Sequence, residues 1–154
     1  MLWGFISEWA KDPFDPSRPR PFNARSETVS EKKLFRGSWR HKRCVLPASG
    51  FFEKGLRNRR KDSQTFWLAG VWNRWMSAEG SELETCCVLT TEPNELVRPL
   101  HNRMPVIIPN GLEEDWIAPV KDGPDLKALE PILSGWSPDG WIAEQINQSP
   151  SSQM

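Results

Sequence analysis

Two side chains in the sequence are suited to acid–base chemistry. His101 lies two residues before Arg103 in the segment LHNRMP, just ahead of an apolar stretch. On extended backbone, residues two apart point to the same side, so both side chains can face one mouth. Glu53 is the only acid between Glu31 and Asp62 and directly follows two phenylalanines. Apolar surroundings raise the pKa of a carboxylate toward the range useful for proton transfer. The pattern predicts an acid–base site, while a loop-capping histidine and an ion-paired edge-strand glutamate stay open as alternatives.

A third candidate is the segment NARSE at residues 23–27, which joins a proline-rich loop to a basic stretch. Asn23 and Arg25 have the side chains to bind a phosphate and to orient a reacting group. The competing interpretation, which the residue types favour, is that Asn23 or Ser26 caps a helix by accepting hydrogen bonds from backbone N–H groups.

Cysteine and metal chemistry find little support. Cys44 lies in one apolar run, and the adjacent Cys86 and Cys87 lie in another, which is expected to bury at least one thiol of the pair in the core. Two distant histidines and no Cys-x-x-Cys pair predict no metal site, and no cofactor is expected. The odd cysteine count, the absence of a visible secretory signal and the lack of a membrane-length apolar run predict a cytoplasmic protein.

These candidates must be positioned by a fold rich in short strands. Apolar and β-branched runs predict strands over 44–47, 50–53, 65–75, 84–91 and 104–108. Helices are predicted over 26–41, 93–99, 112–117 and 125–133, with a hairpin tip at 62–63. Strands outnumber helices without alternating regularly with them, which indicates an α+β, mainly β fold. One domain is expected over 1–146, followed by a disordered tail at 147–154.

Two local features refine this prediction. Gly70 lies in the middle of the longest predicted strand, which indicates a bulge or a close approach of another chain segment. Residues 11–22 contain four prolines and are therefore predicted to form an extended, irregular loop.

Charge is unevenly distributed along the chain. Residues 1–61 hold 15 Lys and Arg against 6 Asp and Glu, whereas residues 62–154 hold 5 against 14. This asymmetry indicates one cationic surface, unless the two halves neutralise each other across the fold. A predicted helical stripe carries part of that charge, and His41 beside it is interpreted as a surface residue. The stripe consists of Lys32, Arg36, Arg40 and Arg43.

Six sequence blocks occur in a fixed order: WGFI with WAKDP at the start, NARSET at 23–28, RCVLPASGFFE at 43–53, LAGVW at 68–72, LTTEPN at 89–94 and HNRMPVI at 101–107. Together they resemble the SRAP family of SOS response-associated peptidase-like proteins. The resemblance implies an α+β, mainly β fold with a curved antiparallel sheet or open barrel and short flanking helices. It also implies a DNA-damage-response protein that binds single-stranded DNA containing abasic sites and needs no metal, cofactor or membrane. It would be cytoplasmic and would associate with the nucleoid when DNA is damaged.

The resemblance also implies roles for particular residues. In the family, a cysteine after the initiator methionine forms a thiazolidine with the aldehyde of a ring-opened abasic site. Asn23 would hold the crosslinked sugar, Glu53 would move protons around the amine, and His101 would assist imine formation and reversal. DNA contacts would come from Trp9, Arg25, Thr90 and Arg103.

The chain also departs from the family pattern. The family opens with Met-Cys-Gly-Arg and a stretch of strand before the WG block, whereas this sequence opens Met-Leu-Trp-Gly. Lys54 stands where the family usually has tryptophan, and Ser7 replaces a proline. The expectation is an N-terminally truncated member that keeps the supporting site without the nucleophile. Family-level crosslinking activity, self-directed peptidase activity and a degenerate, non-catalytic module that binds single-stranded DNA remain open as functions.

Overall fold

The computed structural model of the protein describes residues 1–121 and 123–146. The tail predicted at 147–154 lies outside the described residues. The strands are β1 (Leu2–Trp3), β2 (Asn23–Arg25), β3 (Arg43–Ala48), β4 (Phe51–Glu53), β5 (Leu56–Arg60), β6 (Phe66–Met76), β7 (Glu82–Thr91), β8 (Met104–Pro105), β9 (Ile107–Ile108) and β10 (Trp141–Gln145). The helices are α1 (Arg36–His41), α2 (Glu113–Ile117), α3 (Gly123–Ala128) and a 3₁₀ turn over Glu130–Leu133. The α+β, mainly β prediction is confirmed.

The long antiparallel pair β6–β7 is the centre of the larger sheet, with β3 on the outer side of β6. Gly70 occupies the crowded middle of β6. A Cβ atom there would lie 2.5 Å from Leu46 Cδ1 and 3.0 Å from the Cys87 carbonyl oxygen. The close approach predicted for Gly70 is therefore present.

The predicted strand 104–108 is split in two by its position. Beyond the pair Gly70–Val88, β6 and β7 separate, and β9 pairs with β6 while β8 pairs with β7. Val106 bridges the gap, because its N–H donates to the Leu89 carbonyl at 2.8 Å and its own carbonyl accepts from Ala69 N–H at 2.9 Å. Residues 104–108 are thus inserted between the ends of the two central strands, and this segment is called the β8–β9 wedge.

The larger sheet is mixed, which refines the antiparallel sheet expected from the resemblance. Both β1 and β2 run parallel to β7, and each is short because irregular loops deliver it to the sheet. A second, three-stranded antiparallel sheet has the order β10–β5–β4. The described strands form these two sheets and no closed barrel.

The small sheet corrects the predicted hairpin tip. β5 and β6 belong to different sheets, so 62–63 is a connection between sheets and the prediction of a tip there is wrong. The hairpin instead turns at Lys54 and Gly55, between the paired residues Glu53 and Leu56. Both turn residues have positive φ, +46° and +77°, as a two-residue hairpin of the primed type requires.

An aromatic cluster holds the small sheet against β6. The Trp141 ring lies 4.7 Å from the Phe66 ring and 4.4 Å from the Trp136 ring, centroid to centroid. The Trp136 indole N–H donates to the Pro105 carbonyl at 3.0 Å. This cluster therefore links the small sheet to the β8–β9 wedge.

The helix predicted over 26–41 is mostly wrong. Only Arg36–His41 is α-helical, and the preceding residues form isolated turns because tertiary contacts fix them, among them an ion pair between Glu27 and Arg103. The predicted helix at 93–99 is also a run of turns, organised by the Asn94 side chain, which accepts from two following backbone N–H groups at 3.1 Å.

The prediction that Arg43 belongs to the helical cationic stripe is also wrong. The backbone leaves the helical conformation at Lys42, so Arg43 begins β3 and is only 6% exposed. Its guanidinium donates to the carbonyl groups of Trp39, Arg40, Trp116 and Ala118. Arg43 therefore joins the end of α1 to the end of α2.

The core lies between the larger sheet and its covering helices. Trp116 of α2 is fully buried and lies 5.7 Å from Trp39 of α1, centroid to centroid. Val71 and Leu89, from the two central strands, are also fully buried. None of the described helices is long and apolar enough to cross a membrane.

Candidate functional site

A cleft of about 430 Å³ lies between the wedge end of the larger sheet and strand β4 of the small sheet. It brings together five of the predicted site residues: Asn23, Glu53, Thr90, His101 and Arg103. The other lining residues are Trp3, Gly50, Phe51, Phe52, Leu68, Val88, Met104 and Pro105.

Asn23 reaches the cleft because β2 alternates. Ala24 points into the core and is 3% exposed, whereas Asn23 and Arg25 on either side of it are exposed. Asn23 lies in a strand opposite Val88, and the first α-helix begins only at residue 36. The interpretation that Asn23 caps a helix is therefore wrong. Arg25 pairs with Thr90 but does not line the cleft.

Arg103 is fixed at the bottom of the cleft by a dense set of hydrogen bonds. Its terminal nitrogens donate to both carboxylate oxygens of Glu27, at 2.9 and 2.7 Å, and to the Thr90 carbonyl at 2.7 Å. The Nε–H group lies 3.4 Å from the Thr90 hydroxyl. These contacts engage four of the five N–H groups of the guanidinium. The hydrogen bond from Arg103 lowers the pKa of Glu27.

His101 is exposed and is oriented by the residue two positions later. The backbone N–H of Arg103 donates to His101 Nδ1 at 3.1 Å. Nδ1 also lies 3.1 Å from the Arg103 carbonyl oxygen, so in either tautomer this nitrogen is tied to the Arg103 backbone and Nε2 is left free. Nε2 is then the ring atom able to exchange a proton with a molecule in the cleft.

Glu53 approaches from the opposite wall as the last residue of β4. It is half-buried and pairs with Leu56 across the hairpin. Within the described part of the chain, no Lys or Arg nitrogen lies within 4.0 Å of its carboxylate, so the ion-paired alternative is not observed. Its carboxylate is open to a ligand.

Trp9 lies away from the cleft. It borders a separate surface cavity, which is also lined by basic residues of α1 and the segments next to it. The Lys33 ammonium lies 5.7 Å from the centre of the Trp9 ring, and Trp9 is 51% exposed. The other cations around that cavity are Arg36, Arg40 and Lys42, and His41 also lines it.

Two exposed aromatic residues at the cleft were not predicted as site residues. Trp3 is 58% exposed and Phe52 is 60% exposed, and they lie on opposite walls. The Trp3 indole N–H donates to the Phe22 carbonyl at 2.8 Å, which fixes the ring. The strand alternation after Gly50 could have indicated Phe52, because Phe51 packs in the aromatic cluster and its neighbour must face outward.

The three thiols lie in the body of the larger sheet. Cys86 is 4% exposed, Cys87 is fully buried, and Cys44 is half-buried, so the prediction that at least one thiol of the adjacent pair is buried is confirmed. Burial raises the pKa of Cys44 to about 12 and raises those of Cys86 and Cys87. None of them lines the cleft. Among the described residues there is also no group of three or more His, Cys, Asp or Glu placed to hold a metal ion.

Comparison with known proteins places this geometry in context. Residues 1–148 match the family model described as SOS response associated peptidase (SRAP). The chain is 37% identical to the abasic site processing protein YoqW of Bacillus subtilis, over 96% of this chain and 68% of YoqW. It is 31% identical to the abasic site processing protein HMCES of Xenopus tropicalis, over 86% of this chain and 49% of HMCES.

Solved structures agree with the sequence relatives. A crystal structure of a protein from Bacteroides thetaiotaomicron superposes with a TM-score of 0.80 at 30% identity, covering 92% of this chain and 66% of that protein. One from Bordetella bronchiseptica gives 0.79 at 27% identity, covering 94% and 75%. The chain spans about two thirds of the length of several of these relatives.

Proposed function

The chain belongs to the SOS response associated peptidase (SRAP) family, and we propose on that premise that it processes abasic sites in single-stranded DNA. The observation that carries the proposal is the convergence of Asn23, Glu53 and His101 on one cleft. These residues come from distant parts of the sequence and from both sheets. A hydrogen-bonding amide, an open carboxylate and an oriented imidazole are the groups that an aldehyde–amine reaction requires.

The proposed chemistry is imine formation followed by thiol addition. An amine attacks the aldehyde carbon of the ring-opened sugar, and water leaves as the imine forms. A thiol of the same residue then adds to the imine carbon while the nitrogen takes up a proton, which closes a five-membered ring. Glu53 and His101 Nε2 give and take these protons, and Asn23 holds the sugar by hydrogen bonds. The buried, protonated thiols of Cys44, Cys86 and Cys87 are not suited to this role.

The walls of the cleft favour a single strand without a base at one position. Trp3 and Phe52 are exposed aromatic residues of the two walls, where the bases that flank the lesion can stack. A nucleotide that lacks its base costs little to turn out of the strand. Arg25, beside the cleft, supplies charge for the phosphate backbone without base preference.

A binding measurement tests the first half of the proposal. Fluorescence anisotropy at low salt should show tighter binding of a single strand with a stable abasic analogue than of the same strand intact or as a duplex. Asn23→Ala should weaken binding to the abasic strand by about 1 kcal/mol, because one hydrogen bond to the sugar is lost. Gln64→Ala, at an exposed loop position, is the matched control. Equal binding of all three DNAs would count against the proposal.

A rate measurement tests the second half. A version of the chain extended upstream by a segment that begins Met-Cys-Gly-Arg supplies an amine and a thiol on one residue. It should form a heat-stable adduct with abasic DNA. Glu53→Gln and His101→Ala should each slow the adduct, by about 10²-fold or more together, while leaving affinity nearly unchanged. An unchanged rate in the double variant would show that the two residues are structural.

A non-catalytic module that binds single-stranded DNA is the second candidate function. The observation that favours it is that the thiols of the described residues are buried away from the cleft. The two functions separate in the rate measurement, because a binding module forms no adduct even when the amine and thiol are supplied. The peptidase activity in the family description needs the same nucleophile.

A further inference from the structure

A second cavity, of about 420 Å³, adjoins the cleft and shares His101 with it. Its lining differs from that of the cleft. The aromatic side chains are absent from it, and two cations, Lys54 and Arg98, face the same space as the polar side chain of Asn102. A strand whose sugar lies against His101 must pass near one of the openings of this cavity.

The two cations are free to bind an anion. Both side chains are exposed, and among the described residues no carboxylate oxygen lies within 4.0 Å of either charged group. Arg98 donates one hydrogen bond, to the Pro93 carbonyl at 3.1 Å, which orients the guanidinium and leaves most of its N–H groups available. Glu92 also lines the cavity, so the local balance of formal charge is one positive unit.

The backbone at Lys54 gives an independent reason to assign it a role. Lys54 occupies the first position of the two-residue hairpin with a φ of +46°, a conformation that asparagine and glycine adopt far more readily. A lysine there is unfavourable for the turn. Strained backbone at the rim of a cleft commonly marks a side chain that a ligand needs.

We propose that Lys54 and Arg98 form a phosphate subsite, which binds the phosphodiester group next to the sugar held in the cleft. The proposal rests on the proposed function, since it assumes that a DNA strand occupies the cleft. A phosphodiester shares one negative charge between two non-bridging oxygens, which can bind an ammonium on one side and a guanidinium on the other. The subsite combines Lys54 from the hairpin wall with Arg98 from the segment before His101, so it lies beside the cleft where the two walls approach each other.

The test uses the full chain and a single strand with a stable abasic analogue. Lys54→Asn and Arg98→Gln should each weaken binding by about 3- to 10-fold. Each should also reduce the slope of log affinity against log salt by about 0.7, the amount expected for one phosphate on a single strand. Lys61→Gln is the matched control, because Lys61 is exposed and lies past the far end of β5, about 17 Å along the strand from the hairpin.

Methylphosphonate substitution locates the ligand. Each phosphate on either side of the lesion is neutralised in turn, and the effects of Lys54→Asn and Arg98→Gln should disappear at one shared position. That result assigns the subsite to a strand phosphate rather than to free phosphate in solution. Lys54→Asn should at the same time melt at the same temperature as the wild type or higher, because asparagine fits the turn better. A loss of affinity together with gained stability excludes misfolding as the cause.

The outcomes separate this proposal from the proposed function. If Asn23→Ala weakens binding while Lys54→Asn and Arg98→Gln do not, the phosphate subsite is wrong and the cleft stands. If Lys61→Gln weakens binding as much as Lys54→Asn does, the effect is general charge and the subsite is again wrong. If no variant at either place alters binding, both proposals fail.

Discussion

Two arginines in this protein have nearly the same number of hydrogen bonds and opposite surroundings. Arg43, at the junction of α1, β3 and α2, is 6% exposed and is surrounded by carbonyl groups. Arg103, at the cleft, has a side chain that is 17% exposed and shares its donors between a carbonyl group and the Glu27 carboxylate. Burial lowers the pKa of Arg43.

The difference lies in what surrounds each guanidinium. At the Arg43 junction, every partner is a backbone carbonyl group, so the side chain fastens two helix ends to a strand. At the cleft, Arg103 organises Glu27 and Thr90 while its neighbours His101, Glu53 and Lys54 keep groups without protein partners. A guanidinium whose hydrogen bonds all go to the framework indicates a structural role. Polar groups without protein partners around a fixed guanidinium indicate a candidate binding site.

The largest expected effect is at Arg43. Arg43→Met should destabilise the protein by about 3–5 kcal/mol, because buried carbonyl groups at two helix ends lose their donors together. Urea denaturation measures the change. Arg36→Met, on the exposed side of α1, is the control and should cost less than about 0.5 kcal/mol. Equal costs for the two variants would remove the structural half of the comparison.

A medium effect is expected at Arg103, on binding. Arg103→Lys should weaken binding of abasic single-stranded DNA by about 1–2 kcal/mol, because an ammonium cannot hold both Glu27 oxygens and the Thr90 carbonyl in the geometry that the fork provides. Arg25→Lys should bind almost normally, because an exposed arginine contributes mainly charge. If Arg103→Lys also bound normally, Arg103 would act through charge alone.

A smaller effect is expected from pH. The Arg103 hydrogen bond lowers the pKa of Glu27 from its ordinary 4.5, so the ion pair stabilises the folded state fully above that value and less as pH falls through the lower folded pKa. Because the Glu27 side chain is 45% exposed, the contribution should be no more than about 1 kcal/mol. Glu27→Gln should therefore be less stable than wild type at pH 6, and the difference should shrink as the pH of the urea titration is lowered below 4.5.

The smallest expected effect is chemical. Cys44 follows Arg43 in β3, and burial raises its pKa to about 12, so its thiol should resist a disulfide reagent at pH 8 until the protein unfolds. In Arg43→Met the reaction should be faster, because the junction opens more often. A thiol that reacts at the rate of a free cysteine in the wild type would contradict the burial of this region.

The sequence was informative wherever the chain obeys a local pattern. The strands around Gly70 and the adjacent cysteines follow from apolar runs, and the candidate residues Glu53 and His101 follow from their places within recognisable blocks. Arg43 could not be assigned correctly, because a spacing of three or four residues says nothing about where a helix stops. The segment before α1 forms turns, and the ion pair that helps to fix it joins Glu27 to Arg103, which is distant in sequence.

For a similar reason, the sequence does not predict where Trp9 lies or that the Glu53 carboxylate has no ion-pair partner among the described residues. Helical and strand periodicity predicts which side of an element a residue occupies, but not which elements meet. Trp9 was predicted to contact DNA and lies at a different cavity, so its role remains a prediction. Glu53 and His101 face each other only because the small sheet packs on the β8–β9 wedge.

Because of that packing, we expect the two walls of the cleft to open at different rates. Residues 101–105 lead directly into the wedge, where Val106 is hydrogen-bonded to both central strands, so this wall moves only when the core separates. The opposite wall is a two-residue hairpin, β4–β5, whose tip at Lys54 and Gly55 is exposed. Amide protons of the wedge should exchange with solvent only through global unfolding, and those of the hairpin tip through local opening. If a strand enters the cleft as proposed, we expect the hairpin wall to be the one that moves.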